Sequence, residues 1–164
     1  MLETDSKKIS VKKGEIIQYR GTLNSKVYTV EKGLLRSYSI DKKGKEYIFM
    51  FASEGWKIAD SKGPNEPCEL YIDALEDSVV SVIEKTRDSL ELMIETVVHC
   101  VSLMQDRVMA LMSSSAIERY DHFIKTYPQI TKRVSQKMIA SYLGITPEAL
   151  SKVKNQRVKE QDSQ

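Results

Sequence analysis

The sequence predicts an α+β chain: an N-terminal β-sandwich or barrel, one long helix, and a C-terminal pair of short helices. Three observations carry this. Up to about Glu84, short stretches rich in Ile, Val, Tyr and Phe alternate with glycine turns at close, fairly even spacing. From Asp88 the apolar period lengthens from about two residues to about three and a half. Beyond Pro128, two short helical patterns stand on either side of Gly144.

The β segment is punctuated by Lys13-Gly14, Lys32-Gly33, Lys43-Gly44, Glu54-Gly55 and the loop Lys62-Gly63-Pro64-Asn65-Glu66-Pro67. Between these turns the strands are predicted at Glu15–Arg20, Lys26–Val30, Leu34–Ile40, Glu46–Phe51, Glu69–Leu75 and Val79–Ile83. Alternation is imperfect in Leu34–Ile40, as expected where an interior is filled by mixed residues. Trp56, Tyr47, Tyr71 and Phe49 are large enough to fill it.

Asp88 with Glu91 forms the capping box expected to open the long helix. Leu90, Ile94, Val97, Val101, Met104, Val108 and Leu111 then recur in alternating steps of four and three, an a/d seam. Met93, Cys100, Leu103 and Met112 lie off that seam, so the helix carries two apolar faces. One fits the chain's own barrel and one a partner, most economically a second copy in a two-fold dimer. The run Ser113-Ser-Ser115 interrupts the seam as a hinge. Ser115 with Glu118 caps a helix running to about Thr126, whose buried face is Ile117, Tyr120, Phe123, Ile124 and Tyr127. Pro128 ends it.

Ser135 is the predicted N-cap of the next helix, which buries Ile139, Ala140 and Leu143 and stops at Gly144. Ile145 plugs the turn, Thr146 caps again with Pro147 at the first helical position, and Leu150 and Val153 face inward. This is a helix-turn-helix. Its outer face carries Thr146, Pro147, Glu148, Ser151, Lys152, Lys154 and Asn155, with Ser135, Gln136 and Lys137 at the start of the first helix. A polar face of this kind suits a DNA major groove. Residues past Asn155 read as a frayed polar tail.

Charge agrees with that reading. Residues 129–164 hold seven Lys or Arg against three acidic residues, a net +4, which leaves −2 on the remainder. At 164 residues the chain fits one domain, or a sensor-sized domain with a small appendage. No stretch reaches the roughly 20 apolar residues that span a bilayer and no signal peptide opens it, so a cytoplasmic protein is expected. Cys68 and Cys100 stand in unlike contexts and point to reduced thiols rather than a disulfide.

A Gly-punctuated roll, seam helix, serine hinge, helix ending in Tyr-Pro and helix-turn-helix, in this order, resemble the bacterial Crp/Fnr family of transcription regulators. The carriers are Lys13-Gly14-Glu15, Glu31-Lys-Gly-Leu-Leu-Arg36, Ala74-Leu-Glu-Asp-Ser78, Glu118-Arg-Tyr120 and the block Ile139 to Lys152. The resemblance covers nearly the whole chain. It implies a double-stranded β-helix (jelly roll, cyclic-nucleotide-binding-like) in residues 1–86, a long dimerisation helix in 87–113 and a minimal winged helix-turn-helix in 114–164. It also implies a homodimer on a palindromic operator, with RNA polymerase as a further partner and no cofactor.

By that resemblance Glu148 and Lys152 match positions that face bases, and Ala59, Asp60, Cys68 and Glu69 fall at effector-pocket positions; Trp56 is added to the candidate pocket, and Lys154 and Arg157 are expected to contact the DNA backbone. Family members that bind cyclic nucleotides hold the phosphate with a Gly-Glu pair and an Arg followed by a small hydroxyl residue. Here Ala59-Asp60 and Cys68-Glu69 stand in those places, and a carboxylate where a guanidinium should be repels phosphate. Cyclic AMP is therefore not the expected effector, whose identity is open.

The stretch from Pro128 to Ser135 is too short for a hairpin, and the tail leaves little for a wing. A histidine-based metal centre of the cupin kind is excluded inside the roll, because the barrel segment has no histidine and His99 and His122 fall on later helices, and a carboxylate-only site is unsupported. The alternative retained is an effector-sensing or scaffold protein whose helix-turn-helix binds protein.

Overall fold

Eight strands open the chain in the computed structural model, which describes residues 6–91, 93–113 and 115–161. They are β1 (Lys7–Val11), β2 (Ile16–Gln18), β3 (Lys26–Lys32), β4 (Leu35–Ile40), β5 (Glu46–Ala52), β6 (Lys57–Ala59), β7 (Tyr71–Ala74) and β8 (Ser78–Glu84). All pairings are antiparallel, in two four-stranded sheets ordered β1-β8-β3-β6 and β2-β7-β4-β5. That is the predicted roll. Six strands fall where the apolar stretches put them; β1 and β6 are additional.

The core is Val11, Tyr28, Val30, Leu35, Met50, Ala52, Ile58, Ile72, Ala74 and Val80, with Trp56 packed against it. Of the four aromatics large enough to fill the roll, Trp56 packs against its core. Tyr47 and Phe49 are exposed, because the β5 register turns Ile48, Met50 and Ala52 toward the interior, and Tyr71 stacks on Tyr38 at 5.4 Å between centroids. The imperfect alternation of β4 has a specific cause. Arg36 is buried on the second face, where it donates two hydrogen bonds to Asp73 (2.9 and 3.0 Å) and one to Glu46 (2.6 Å), with its guanidinium 4.1 Å from the Tyr38 ring. Burial alone would lower the Arg36 pKa, but the two carboxylates outweigh it and hold it above the usual value.

Three of the sequence motifs meet in space. Gly14 N donates to Ala74 O and Ala74 N to Glu15 O, Lys13 N donates to Asp77, and Leu34 N donates to the Ser78 hydroxyl. Gly33 (φ +98°) lies so close that a Cβ there would sit 2.8 Å from Ser78 Cα. These motifs are joints of the roll.

Helix α1 spans Arg87–Glu91 and α2 spans Ile94–Ser113, with Met93 in a turn between them. The single helix expected from Asp88 is thus two. Its cap is also shifted. Thr86 and Ser89 make the reciprocal bonds, Ser89 N to Thr86 Oγ1 (3.1 Å) and Thr86 N to Ser89 Oγ (2.9 Å), and the buried Ser89 hydroxyl also reaches Glu84 O. Glu91 instead pairs with Arg87.

The chain divides into two units between Val98 and His99. In the second, α3 (Ala116–Thr126) opens with the predicted Ser115–Glu118 capping box, and Ser114 of the hinge run lies outside the described residues. A short 3-10 turn (Ile130–Lys132) leads to α4 (Gln136–Leu143) and α5 (Pro147–Gln161). Tyr120, Phe123, Tyr127, Ile130, Ile139, Ala140, Tyr142, Leu143, Leu150 and Val153 form its core. Ile117 and Ile124 are half-buried at its edge. No strand follows β8 among the described residues, and none of their helices is long and apolar enough to cross a membrane.

Candidate nucleic-acid interface

Local chemistry sets the α4–α5 geometry. Ser135 takes extended backbone angles and its hydroxyl accepts from Met138 N at 3.3 Å. At the other end Gly144 is left-handed (φ 68°, ψ 31°), which lets its N–H reach Ser141 O while Ile145 N reaches Ala140 O. The chain then turns at once into α5, where Thr146 Oγ1 accepts from Ala149 N at 3.2 Å. Pro147 is the first helical residue, as predicted.

With Ile139, Ala140, Leu143, Leu150 and Val153 buried, Ser135, Gln136, Lys137, Thr146, Pro147, Glu148, Ser151, Lys152 and Asn155 are all left exposed. Not every one is available for a ligand. The hydroxyls of Ser135 and Thr146 act as caps and that of Ser151 donates back to Pro147 O at 3.1 Å. Half-buried Lys154 donates to Gln136 Oε1 at 3.1 Å, joining the two helices. The backbone N–H of Glu148 and the Thr146 hydroxyl hold the Glu148 carboxyl below the usual carboxylate range, so it is an anion beside the positive end of α5.

Two expectations are corrected here. The tail past Asn155 is not frayed, since α5 continues to Gln161. Arg157 does not extend the basic face: its guanidinium pairs with Asp121 of α3 at 2.7 Å and leans over the Tyr120 ring. Sequence reading also missed Arg107 and Arg119, which donate to the carbonyls of Tyr142 and Leu143, each at 2.9 Å. Only a long-range contact reveals them.

On α2, Ile94, Val97, Val101, Val108 and Leu111 of the seam are between 42% and 58% exposed, and Met104 is half-buried. The Leu90 side chain lies outside the described residues. Val98, Met109 and Met112 are more exposed still, which broadens the apolar face beyond the predicted stripe. Off the seam, Met93 is buried and Cys100 and Leu103 half-buried.

The five pocket residues of the roll have different surroundings. Cys68 and Glu69 line a cleft of about 340 Å³ with Arg20, Gly21, Lys62, Glu66 and Pro67, and Lys62 spans it to Glu69 at 3.0 Å. Trp56 packs against the core of the roll and Ala59 ends β6. Buried Asp60 is consumed internally. Its carboxylate accepts from the backbone N–H groups of Lys62 (3.0 Å), Glu69 (2.8 Å) and Leu70 (2.8 Å) and from Gln18 Nε2 (3.4 Å). Lys85, its pKa lowered by burial, fastens the same loop by donating to Ser25 Oγ and to the carbonyls of Asp60 and Lys62. The chain's own anion thus draws the 60–70 loop shut.

No family model matches the chain. The nitrogen fixation regulation protein FixK of Rhizobium meliloti is 24% identical over 155 residues, covering 87% of this chain and 71% of FixK. The structure of FixK2 from Bradyrhizobium japonicum matches with a TM-score of 0.74 at 24% identity, over 94% of this chain and 85% of FixK2. A CRP/FNR-family transcriptional regulator from Thermus thermophilus gives 0.75 at 14% identity, over 94% and 87% of the two chains. The relatives are regulators, not enzymes.

Proposed function

We infer that this chain, a Crp/Fnr-type regulator by sequence likeness and fold, acts as a homodimer on a two-fold symmetric DNA site and does not respond to cyclic AMP. The observation that carries the reading is the pair α4–α5, which buries Ile139, Ala140, Leu143, Leu150 and Val153 and whose outer face is a solvent-exposed polar set around Glu148 and Lys152. In this reading residues 1–86 are the sensor-type roll, 87–113 the dimerisation segment and 114–164 the reader. The exposed apolar face of α2 supports the dimer, since a broad face of this kind on a helix is covered by a partner.

At the DNA, Lys152 contacts a guanine or nearby phosphate and Glu148 a cytosine amino group, while Lys137 and the N–H groups that open α4 face phosphate. Two such readers, one from each copy, fit half-sites about one helical turn apart. Arg157 is left out of the contact set because Asp121 holds it. Insensitivity to cyclic AMP is supported by the 60–70 loop. Asp60 already supplies an anion to its N–H groups, and Glu69 stands at the mouth of the cleft.

The test is selection of bound duplexes from a random pool at moderate salt, with the mass of the complex measured alongside. The expected result is a dimer enriching a two-fold symmetric motif, with an affinity unchanged by cyclic AMP and weakened by about 1–3 kcal/mol in Lys152→Ala. A dimer that enriches no duplex would overturn the DNA reading in favour of a scaffold role. A monomer would overturn the two-half-site mechanism.

A further inference from the structure

A helix leaves four carbonyls without intrahelical partners at its C-terminus. In α4 these are the carbonyls of Ala140, Ser141, Tyr142 and Leu143. The left-handed turn satisfies the first two through Ile145 N and Gly144 N. The second two are taken by guanidinium groups from other helices, Tyr142 O by Arg107 of α2 and Leu143 O by Arg119 of α3, each at 2.9 Å. Arg107 is fixed twice, because its guanidinium also lies 3.9 Å from the Tyr142 ring centre. That ring is anchored in turn against Phe123 and Tyr127, at 5.2 and 5.6 Å. Leu111 of α2 reaches the same place: a Cβ added to Gly144 would sit 3.6 Å from Leu111 Cδ2.

We propose that Arg107 and Arg119 are positioning residues that clamp the end of α4 to α2 and α3, fixing the reader's orientation against the dimerisation segment and hence the half-site spacing the dimer accepts. The proposal rests on the reading of α4–α5 as a DNA reader and of α2 as the dimer contact. A guanidinium suits this task because its donors form a rigid planar fork that stacks on an aromatic face; an ammonium on a flexible stem does neither. A slide or roll of α4 along α2 would break a directional hydrogen bond and unstack Arg107 from Tyr142 together. The clamp touches no base and no phosphate. Its loss therefore leaves each half-site contact as it was and loosens the relation between the two.

The experiment uses the full chain and the duplex enriched by wild type, with versions whose centre is one base pair longer or shorter. Wild type is expected to favour its own spacing by about tenfold or more. In Arg107→Met/Arg119→Met, which keeps the unbranched stems, that preference is expected to fall to about threefold or less, with single half-site affinity and dimer mass unchanged. Arg107→Lys alone restores little of it, because charge without the fork does not clamp. Full spacing preference in the double variant would overturn the proposal, as would loss of half-site affinity in step with it, which marks a cap that merely holds α4 folded.

A second readout needs no DNA and separates failure of the clamp from failure of the DNA reading. Spin labels at Ser102→Cys on α2 and Val158→Cys on α5, in a Cys100→Ser background diluted with unlabelled protein, are expected to give one narrow distance distribution in wild type and a broad one in the double variant. A distribution equally narrow in both would sink the clamp whatever the duplexes show.

Discussion

Replacing Asp60 with alanine removes the acceptor for four donors at once. Gln18 Nε2 keeps Leu70 O at 3.0 Å, whereas the part-buried N–H groups of Lys62, Glu69 and Leu70 lose their acceptor. Three part-buried N–H groups left unmet, at the low end of about 1–3 kcal/mol each, put the loss near 3 kcal/mol. For a domain of this size that corresponds to a fall of roughly 12–24 °C in the melting temperature of the roll, read by calorimetry or by Trp56 fluorescence. The vacated space is lined by N–H donors, so acetate should re-enter it and raise the variant's melting point by mass action while leaving wild type unmoved. Asp60→Asn, which turns an amide donor toward other donors, is expected to be destabilised and not rescued. A variant melting within a few degrees of wild type, or acetate shifting both proteins alike, would refute the reasoning that the loop is closed by an internal anion.

Val101→Glu with Val108→Glu places like charges on the exposed face of α2. The helix content is expected to stay unchanged by circular dichroism while the dimer dissociation constant rises by at least about a hundredfold, or about 3 kcal/mol, in sedimentation. Asp73→Ala leaves the buried Arg36 with Glu46 alone and should cost about 3–5 kcal/mol in denaturant unfolding; Arg36→Met in the same chain should recover most of it. Gly144→Ala is expected to cost about 1–2 kcal/mol, since its neighbours are at ordinary contact distance and only the left-handed backbone is strained. Gly33→Ala should cost more, because the added carbon meets Ser78 as well, and thermal melts of the two variants rank them.

The helix-turn-helix was legible to the residue because each of its signals is local. Ser135, Gly144, Thr146 and Pro147 act on neighbours within four positions, and the inward set Ile139, Ala140, Leu143, Leu150 and Val153 repeats at helical spacing. The strands of the roll were legible wherever apolar residues clustered. β1 was not, because Lys7, Lys8 and Ser10 dilute it and only Val11 is fully buried. β6 was not, being three residues long.

The start of the long helix was misplaced because Asp88–Glu91 and Thr86–Ser89 are both adequate caps in sequence. What decides between them is the bond from Ser89 to Glu84, which belongs to the end of β8. Arg157, Arg107 and Asp60 share one reason for being missed or misassigned. A charged side chain reads as solvent-facing until its partner is known, and Asp121, the α4 carbonyls and the 60–70 loop amides are partners that only the fold brings near.

The strand order of the roll also bears on how fast each part of the chain takes shape. β1 pairs with β8, joining Lys7 to Val82 and Val11 to Ser78, so the first strand of the roll waits for its last before the sheet is complete. In the second unit the capping and turn bonds join near neighbours, such as Ser115 to Glu118 and Gly144 to Ser141. Topologies built from local contacts form in microseconds to milliseconds and those built from distant pairings in milliseconds to seconds. Refolding from denaturant should therefore show a fast helical phase followed by a slower phase in which the roll closes. In the interval the unpaired edges of β3 and β1 are open to other chains, and aggregation during production is a hazard of the roll rather than of the helices.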